Sequence, residues 1–196
     1  MAKAIRSVSI KTPEFRGAFV AVFSPDKDPN GKEKYGATML YPEGADLTPL
    51  RQILAEVIQK KWPDAASRPG DIILPFRNGN EVPWEGFADH QFAKASSLYK
   101  PGVVGPDARI IEDMEQGKVK SGDFFMAIIH AFSWEYMGKN GVSFGLEHIQ
   151  KTQDGDSLGG GGTDAASAFT PIQPVAAGGS GAQPVGGDAL DAILNG

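Results

Sequence analysis

Apolar and polar positions alternate in short stretches along most of the first 150 residues, and this period of two predicts strands. Residues 3–11 place Lys3, Ile5, Ser7 and Ser9 on one face and Arg6, Val8 and Ile10 on the other, until Thr12-Pro13 breaks the run. Phe15 to Phe23 reads as a second strand closed by Pro25-Asp26, and residues 35–41 as a third. The charged stretch 26–34 between them reads as an exposed loop carrying Lys27, Lys32 and Lys34. One segment keeps a different period. Leu47, Leu50, Ile53, Leu54, Val57, Ile58 and Trp62 recur at helical spacing, Asp46 or Thr48 can cap the start, Pro49 suits the first turn and Pro63 stops it. Such a stripe predicts core packing and makes Trp62 a structural residue.

Further along, residues 72–76 predict a short strand and 77–80 a turn. Residues 91–98 alternate again, with Phe92, Lys94 and Ser96 sharing a face. An extended, turn-rich stretch then leads from Lys100 to Arg109. The strongest β signal is last. Residues 123–136 form a long apolar and aromatic run, Met137 to Gly141 reads as a hairpin turn with Asn140-Gly141 supplying positive φ, and residues 142–151 return as the partner strand. On the long strand Phe125, Ala127, Ile129, Ala131 and Ser133 form a small set suited to a tight interior. Phe124, Met126, Ile128, His130, Phe132, Trp134 and Tyr136 form the other face, with more aromatic surface than water tolerates without a reason. Either it packs on the helix, or its far end (Phe132, Trp134 and Tyr136, beside Lys139) offers ring faces to unstacked bases. Lys94, Tyr99 and Lys100 make a second basic and aromatic cluster of the same chemistry.

Charge changes the picture of the whole chain. All 19 Lys and Arg lie at or before Lys151, together with all but five of the 24 acidic residues, so the net charge of −5 belongs entirely to the last 45 residues. That tail holds eleven Gly and few large apolar side chains, which predicts disorder. We therefore expect a domain at 1–151, a Gly-rich linker at 152–187 and an acidic, aliphatic tip at 188–196. A sequence pI of about 5.2 does not argue against nucleic acid, because a local basic surface governs phosphate binding.

The chemistry of most enzymes is missing. There is no cysteine, no phosphate-binding GxxxxGK loop and no Gly-x-Ser-x-Gly elbow. The glycine run at 159–162 reads as linker, and His90, His130 and His148 lack ligand spacing. Asp71, Glu81, Glu85 and Asp89 leave a Mg²⁺-dependent nuclease as a minor alternative, and a structural or assembly protein of a phage is the other. We expect no catalytic residue, no cofactor and no resident metal, and no apolar run is long enough to span a membrane.

Two stretches carry a resemblance. Phe92-Ala-Lys-Ala-Ser-Ser-Leu-Tyr-Lys-Pro-Gly-Val-Val-Gly105 is one; the other runs from Ser121-Gly-Asp-Phe-Phe125 through Trp134 and the hairpin to Asp154-Gly155. In this order they resemble the single-stranded DNA-binding proteins of bacteriophage replication modules. The resemblance implies a mainly β, OB-fold-like five-stranded barrel with one amphipathic helix and a mobile acidic C-terminus. It implies sequence-tolerant binding of single-stranded DNA in phage replication or recombination, in the cytoplasm of the host cell, and it admits a homodimer. By position Lys94, Lys100 and Arg109 would line the groove, with Trp134 and Tyr136 beside it. The tip, with Asp188, Leu190, Asp191, Ile193 and Leu194, would meet a replication or recombination protein. The tail would compete with DNA for the groove.

Overall fold

The structure is a computed structural model that describes residues 4–158 except 29, 30 and 67. Five strands form a partial ring. β2 (Phe15–Lys27) and β3 (Glu33–Pro42) make an antiparallel hairpin, and β3 pairs antiparallel with β5 (His90–Ser97). β5 then runs parallel to β8 (Lys139–Gln153) through Ala95/Phe144 and Ser96/Gly145. β8 pairs along its length with β7 (Phe124–Tyr136), which returns to β2 through Phe15/Phe125 and Arg16/Phe124. A five-stranded, partly open barrel closed by one parallel pair is the OB arrangement. Short strands complete its edges: β1 (Ile10–Lys11) on β7, β4 (Arg77–Asn78) on β5, and β6 (Gly102–Val104) parallel to β8.

The small set of the long strand fills the interior as its alternation predicts: Phe125, Ala127, Ile129, Ala131 and Ser133 are all buried. The helix α1 (Thr48–Lys61) adds Leu50, Ile53, Leu54 and Val57 to the same core. Pro49 lies in its first turn, Asp46 accepts the Thr48 N–H at 2.9 Å, and Trp62 packs against the core as a structural residue. Because the helix joins the inner set, it leaves the outer face of β7 uncovered. Met126, Ile128, His130, Phe132 and Trp134 stay half-buried and Tyr136 is exposed.

The structure corrects several local expectations. The hairpin turn is Met137-Gly138, whose φ angles of 47° and 75° suit a two-residue primed turn, while Asn140 and Gly141 already lie in β8. Residues 3–11 do not alternate throughout. Arg6 pairs with Phe132 but Ile10 pairs with Ile129, a one-residue bulge that exposes Val8 and Ser9 together and turns Ile10 inward. Of residues 72–76 only Ile73 makes a bridge, to Gly141, and Arg77-Asn78 is strand rather than turn. β2 runs past Phe23 and through Pro25, which an irregular stretch between Ala21 and Asp26 accommodates.

Ordered packing continues beyond Lys151. The Gly155 N–H donates to Asp123 (3.1 Å), Arg16 donates to the Asp156 carbonyl (2.8 Å), and Leu158 packs on a second apolar cluster. A chain ending at Lys151 should therefore be less stable than one ending at residue 160 by about 1–3 kcal/mol. Equal urea midpoints for the two would show that this strap at residues 154–158 contributes nothing. Among the described residues, no helix is long and apolar enough to cross a membrane.

Candidate nucleic-acid interface

The β7–β8 register places a row of rings on one strand above small residues on the other. Trp134 faces Gly141, Phe132 faces Ser143 and His130 faces Gly145. A Cβ at Gly141 would overlap the Trp134 ring, and one at Gly145 would overlap the His130 ring. Glycine thus lets the rings lie down across β8, where they stay partly exposed, His130 at 13%. The Trp134 indole N–H donates to Ser143 Oγ at 2.9 Å, which fixes its tilt.

His130 is fixed from below. Its Nδ1–H donates to Glu147 Oε1 at 2.7 Å, and the Ser9 hydroxyl donates to the same oxygen at 2.6 Å. The Ser9 hydrogen bond, opposed by burial and reinforced by His130, holds the Glu147 carboxyl below its ordinary pKa. Two bulges build this contact. β8 carries one extra residue where Ile128 pairs with His148 and Ile129 with Leu146, which frees Glu147, and the bulge at Val8 and Ser9 lies across the other edge of β7.

A groove of about 510 Å³ opens beside this platform. His130 and Phe132 form its floor, Arg6, Lys32, Lys34 and Lys100 bring positive charge, and Tyr99 stands 83% exposed at its rim. A second cleft of about 390 Å³ shares Arg6 and Phe132 and continues past Trp134 to Lys61. Lys34 pairs with Asp28 at 3.0 Å, Lys61 with Glu135 at 2.9 Å, and Lys100 with Asp113 while also standing 5.7 Å from the Phe23 ring centroid. The Lys100–Asp113 pair is exposed and weak, about 0–1 kcal/mol, so an incoming anion can displace its carboxylate, whereas Asp28 and Lys61 are partly buried in theirs.

Among the residues singled out from sequence, Tyr99, Lys100 and Phe132 line the groove, and Trp134 lines its continuation. Tyr136 and Lys139 pair across the tip of the same hairpin. Lys94 is exposed on β5, two residues before Ser96, which lines the groove. Arg109 stands apart, in a cleft of about 790 Å³ shared with Lys118, Lys120, Asp107 and Glu115. That cleft is larger, but it has mixed charge and no aromatic wall among the described residues.

Residues 8–177 match the family model described as Enterobacter phage Enc34, ssDNA-binding protein. The chain belongs to this family of phage single-stranded DNA-binding proteins. The family's described role is binding rather than catalysis. The chain is 26% identical to protein p50 of Acyrthosiphon pisum secondary endosymbiont phage 1 over 177 residues, covering 84% of this chain and 94% of that one. Its fold is similar to that of the single-stranded DNA-binding protein from bacteriophage Enc34 (TM-score 0.63, 19% identity, 83% of this chain and 90% of that one). The same protein in complex with ssDNA also gives a TM-score of 0.63, at 18% identity over 77% of this chain and 89% of that one. The single-stranded DNA-binding protein gp2.5 of bacteriophage T7 gives 0.57, at 13% identity over 86% of this chain and 98% of that one. These likenesses support the OB-like ring.

For a member of this family, sequence reading missed Arg6 and His130 as groove residues and treated Lys32 and Lys34 only as loop charges. A signal was present. Gly141-Val-Ser-Phe-Gly145 alternates small residues opposite the aromatic stripe, and a turn placed at Met137-Gly138 would have shown which ring meets which glycine. Asp71, Glu81, Glu85 and Asp89 do not gather. Among the described residues no three His, Cys, Asp or Glu side chains are placed to hold a metal ion.

Proposed function

We propose that the chain binds single-stranded DNA along this groove during phage replication or recombination, without strong sequence preference. The observation that carries the proposal is the ring platform of His130, Phe132 and Trp134 laid over Gly141, Ser143 and Gly145 and bordered by cations. Every base has a stackable face, so an aromatic floor tolerates sequence. Arg6, Lys32, Lys34 and Lys100 neutralise phosphates, with Lys94 and Lys139 at the margins. Tyr99 and Tyr136 are exposed rings at the two ends, and Arg109 meets only a strand that extends beyond the groove.

Salt titration tests this reading. Neutralising about four phosphates on a single strand gives a slope of log affinity against log salt near −3. Binding that ignores salt, or that favours duplex, would refute the proposal.

The tail supplies the regulatory part. Residues 161–196 lie outside the described residues and carry three Asp and no base. Their charge competes with phosphate for the body's cations, and the tip with Asp188, Leu190, Asp191, Ile193 and Leu194 meets a replication or recombination protein. Removing 161–196, with the cut placed after residue 160 so that the Leu158 strap remains, should raise affinity for oligo-dT severalfold at low salt and little at high salt. Unchanged or weaker binding at low salt would remove the tail from the mechanism.

A further inference from the structure

A second aromatic grouping lies outside the groove. Phe87 and Phe92 are buried with Ala18 and Leu40, with ring centroids 5.0 Å apart. Above them Phe19 and Trp84 are 50% and 42% exposed, edge to face at 5.3 Å. Phe19 has a φ of 48°, a left-handed conformation that bulky residues rarely take. It sits where β2 gains one residue against β3, between Ala18 and Ala21. Phe15 and Val22 of the same strand point into the main core, and the bulge takes Phe19 out of that alternation and sets it against Trp84 and Phe87. A strained backbone that holds an aromatic ring in water is not explained by core packing.

The pair is linked to the groove wall through one face of β5. Trp84 contacts Phe92 at 6.0 Å, and Phe92 shares its face of β5 with exposed Lys94 and with Ser96 of the groove wall. From Phe92 to Ser96 is about 13 Å along the strand. Arg77 covers Phe92 at 5.5 Å, adding a second cation beside Lys94.

We infer that Phe19 and Trp84 form a second nucleobase-stacking subsite, occupied by a single strand that leaves the groove across Lys94. This rests on the groove reading, and oligonucleotide length separates the two. In the full chain, Trp84→Ala and Phe19→Ala should leave affinity for an oligo-dT of about five nucleotides unchanged, which also shows the fold and groove intact. Each should lower affinity for one of about sixteen nucleotides at least fivefold. Trp84→Phe, which keeps a ring, should restore most of the loss. Equal affinity of the Ala variants and the parent for the long oligonucleotide overturns the subsite while the groove reading stands. A parent chain that binds neither length overturns both.

Discussion

Replacing Asp123 by alanine should destabilise the fold by about 3–5 kcal/mol, the loss expected when one partner of a buried ion pair is removed. Asp123 is fully buried. Its Oδ2 accepts from Lys151 Nζ at 2.9 Å and from the Lys120 N–H at 3.0 Å, and its Oδ1 accepts from the Gly155 N–H at 3.1 Å. Lys151 is 10% exposed, donates to the Lys118 carbonyl, and pairs with Asp154 at 2.7 Å. Burial works against its charge, but the hydrogen bonds and charges of Asp154 and Asp123 outweigh that and hold its pKa above the usual lysine value. Without Asp123, that ammonium keeps one exposed carboxylate and the Lys118 carbonyl, and the strap at 154–158 loses its anchor.

The pH dependence has a definite sign. The raised lysine contributes stability below its unfolded pKa and loses it as pH rises through the higher folded value. Asp154, held below its usual value by the Lys151 hydrogen bond, contributes above the carboxylate range and loses it as pH falls. The contribution is therefore flat near neutrality and declines at both extremes. Urea unfolding of Asp123→Ala at pH 7 measures it. A loss of only about 0–1 kcal/mol, as for a surface pair, would show that the buried contact matters little.

The double variant Phe132→Ala, Trp134→Ala should lower affinity for oligo-dT about 30-fold or more, because each stacked base contributes about 1–3 kcal/mol. Both rings lie on the outer face of β7, away from the inner set, so the core survives their loss. The cations of the groove remain, so the salt slope should persist while the intercept falls. Fluorescence anisotropy with labelled oligo-dT reads both quantities. A drop of threefold or less would mean that charge alone holds the strand. The converse variant, Lys32→Ala with Lys100→Ala, should flatten the slope by about 1.4.

Much of the architecture was legible from local pattern. The period of two on residues 124–136 correctly sorted Phe125, Ala127, Ile129 and Ala131 from Phe132 and Trp134. The helical stripe correctly placed Leu50, Ile53, Leu54 and Val57 in the core. These are properties of single elements, decided by burying one face of a strand or helix. What the pattern hid lay at the bulges and turns. One extra residue at Val8 and Ser9 and another at Glu147 bring together Ser9, His130 and Glu147, and no local period encodes a meeting of residues more than a hundred positions apart. The Asn140-Gly141 pair is a strong turn signal in isolation, but Gly141 is needed beneath the Trp134 ring, and Met137-Gly138 takes the turn.

By itself the sequence determined a β body, one packed helix, an aromatic face on the longest strand and a tail without positive charge, because each follows from composition or from the period of one segment. Only the tertiary structure decided which cations border that face. Arg6 arrives by pairing with Phe132, Lys32 and Lys34 through the β2–β3 hairpin, and Lys100 after the parallel β5–β8 contact, while Arg109 is carried elsewhere. Lys151, the last basic residue of the sequence, proved to be a buried pin rather than part of the groove. The physical reason is that a groove is made between strands, and strand order and register are fixed by long-range pairing and by the bulges that shift it.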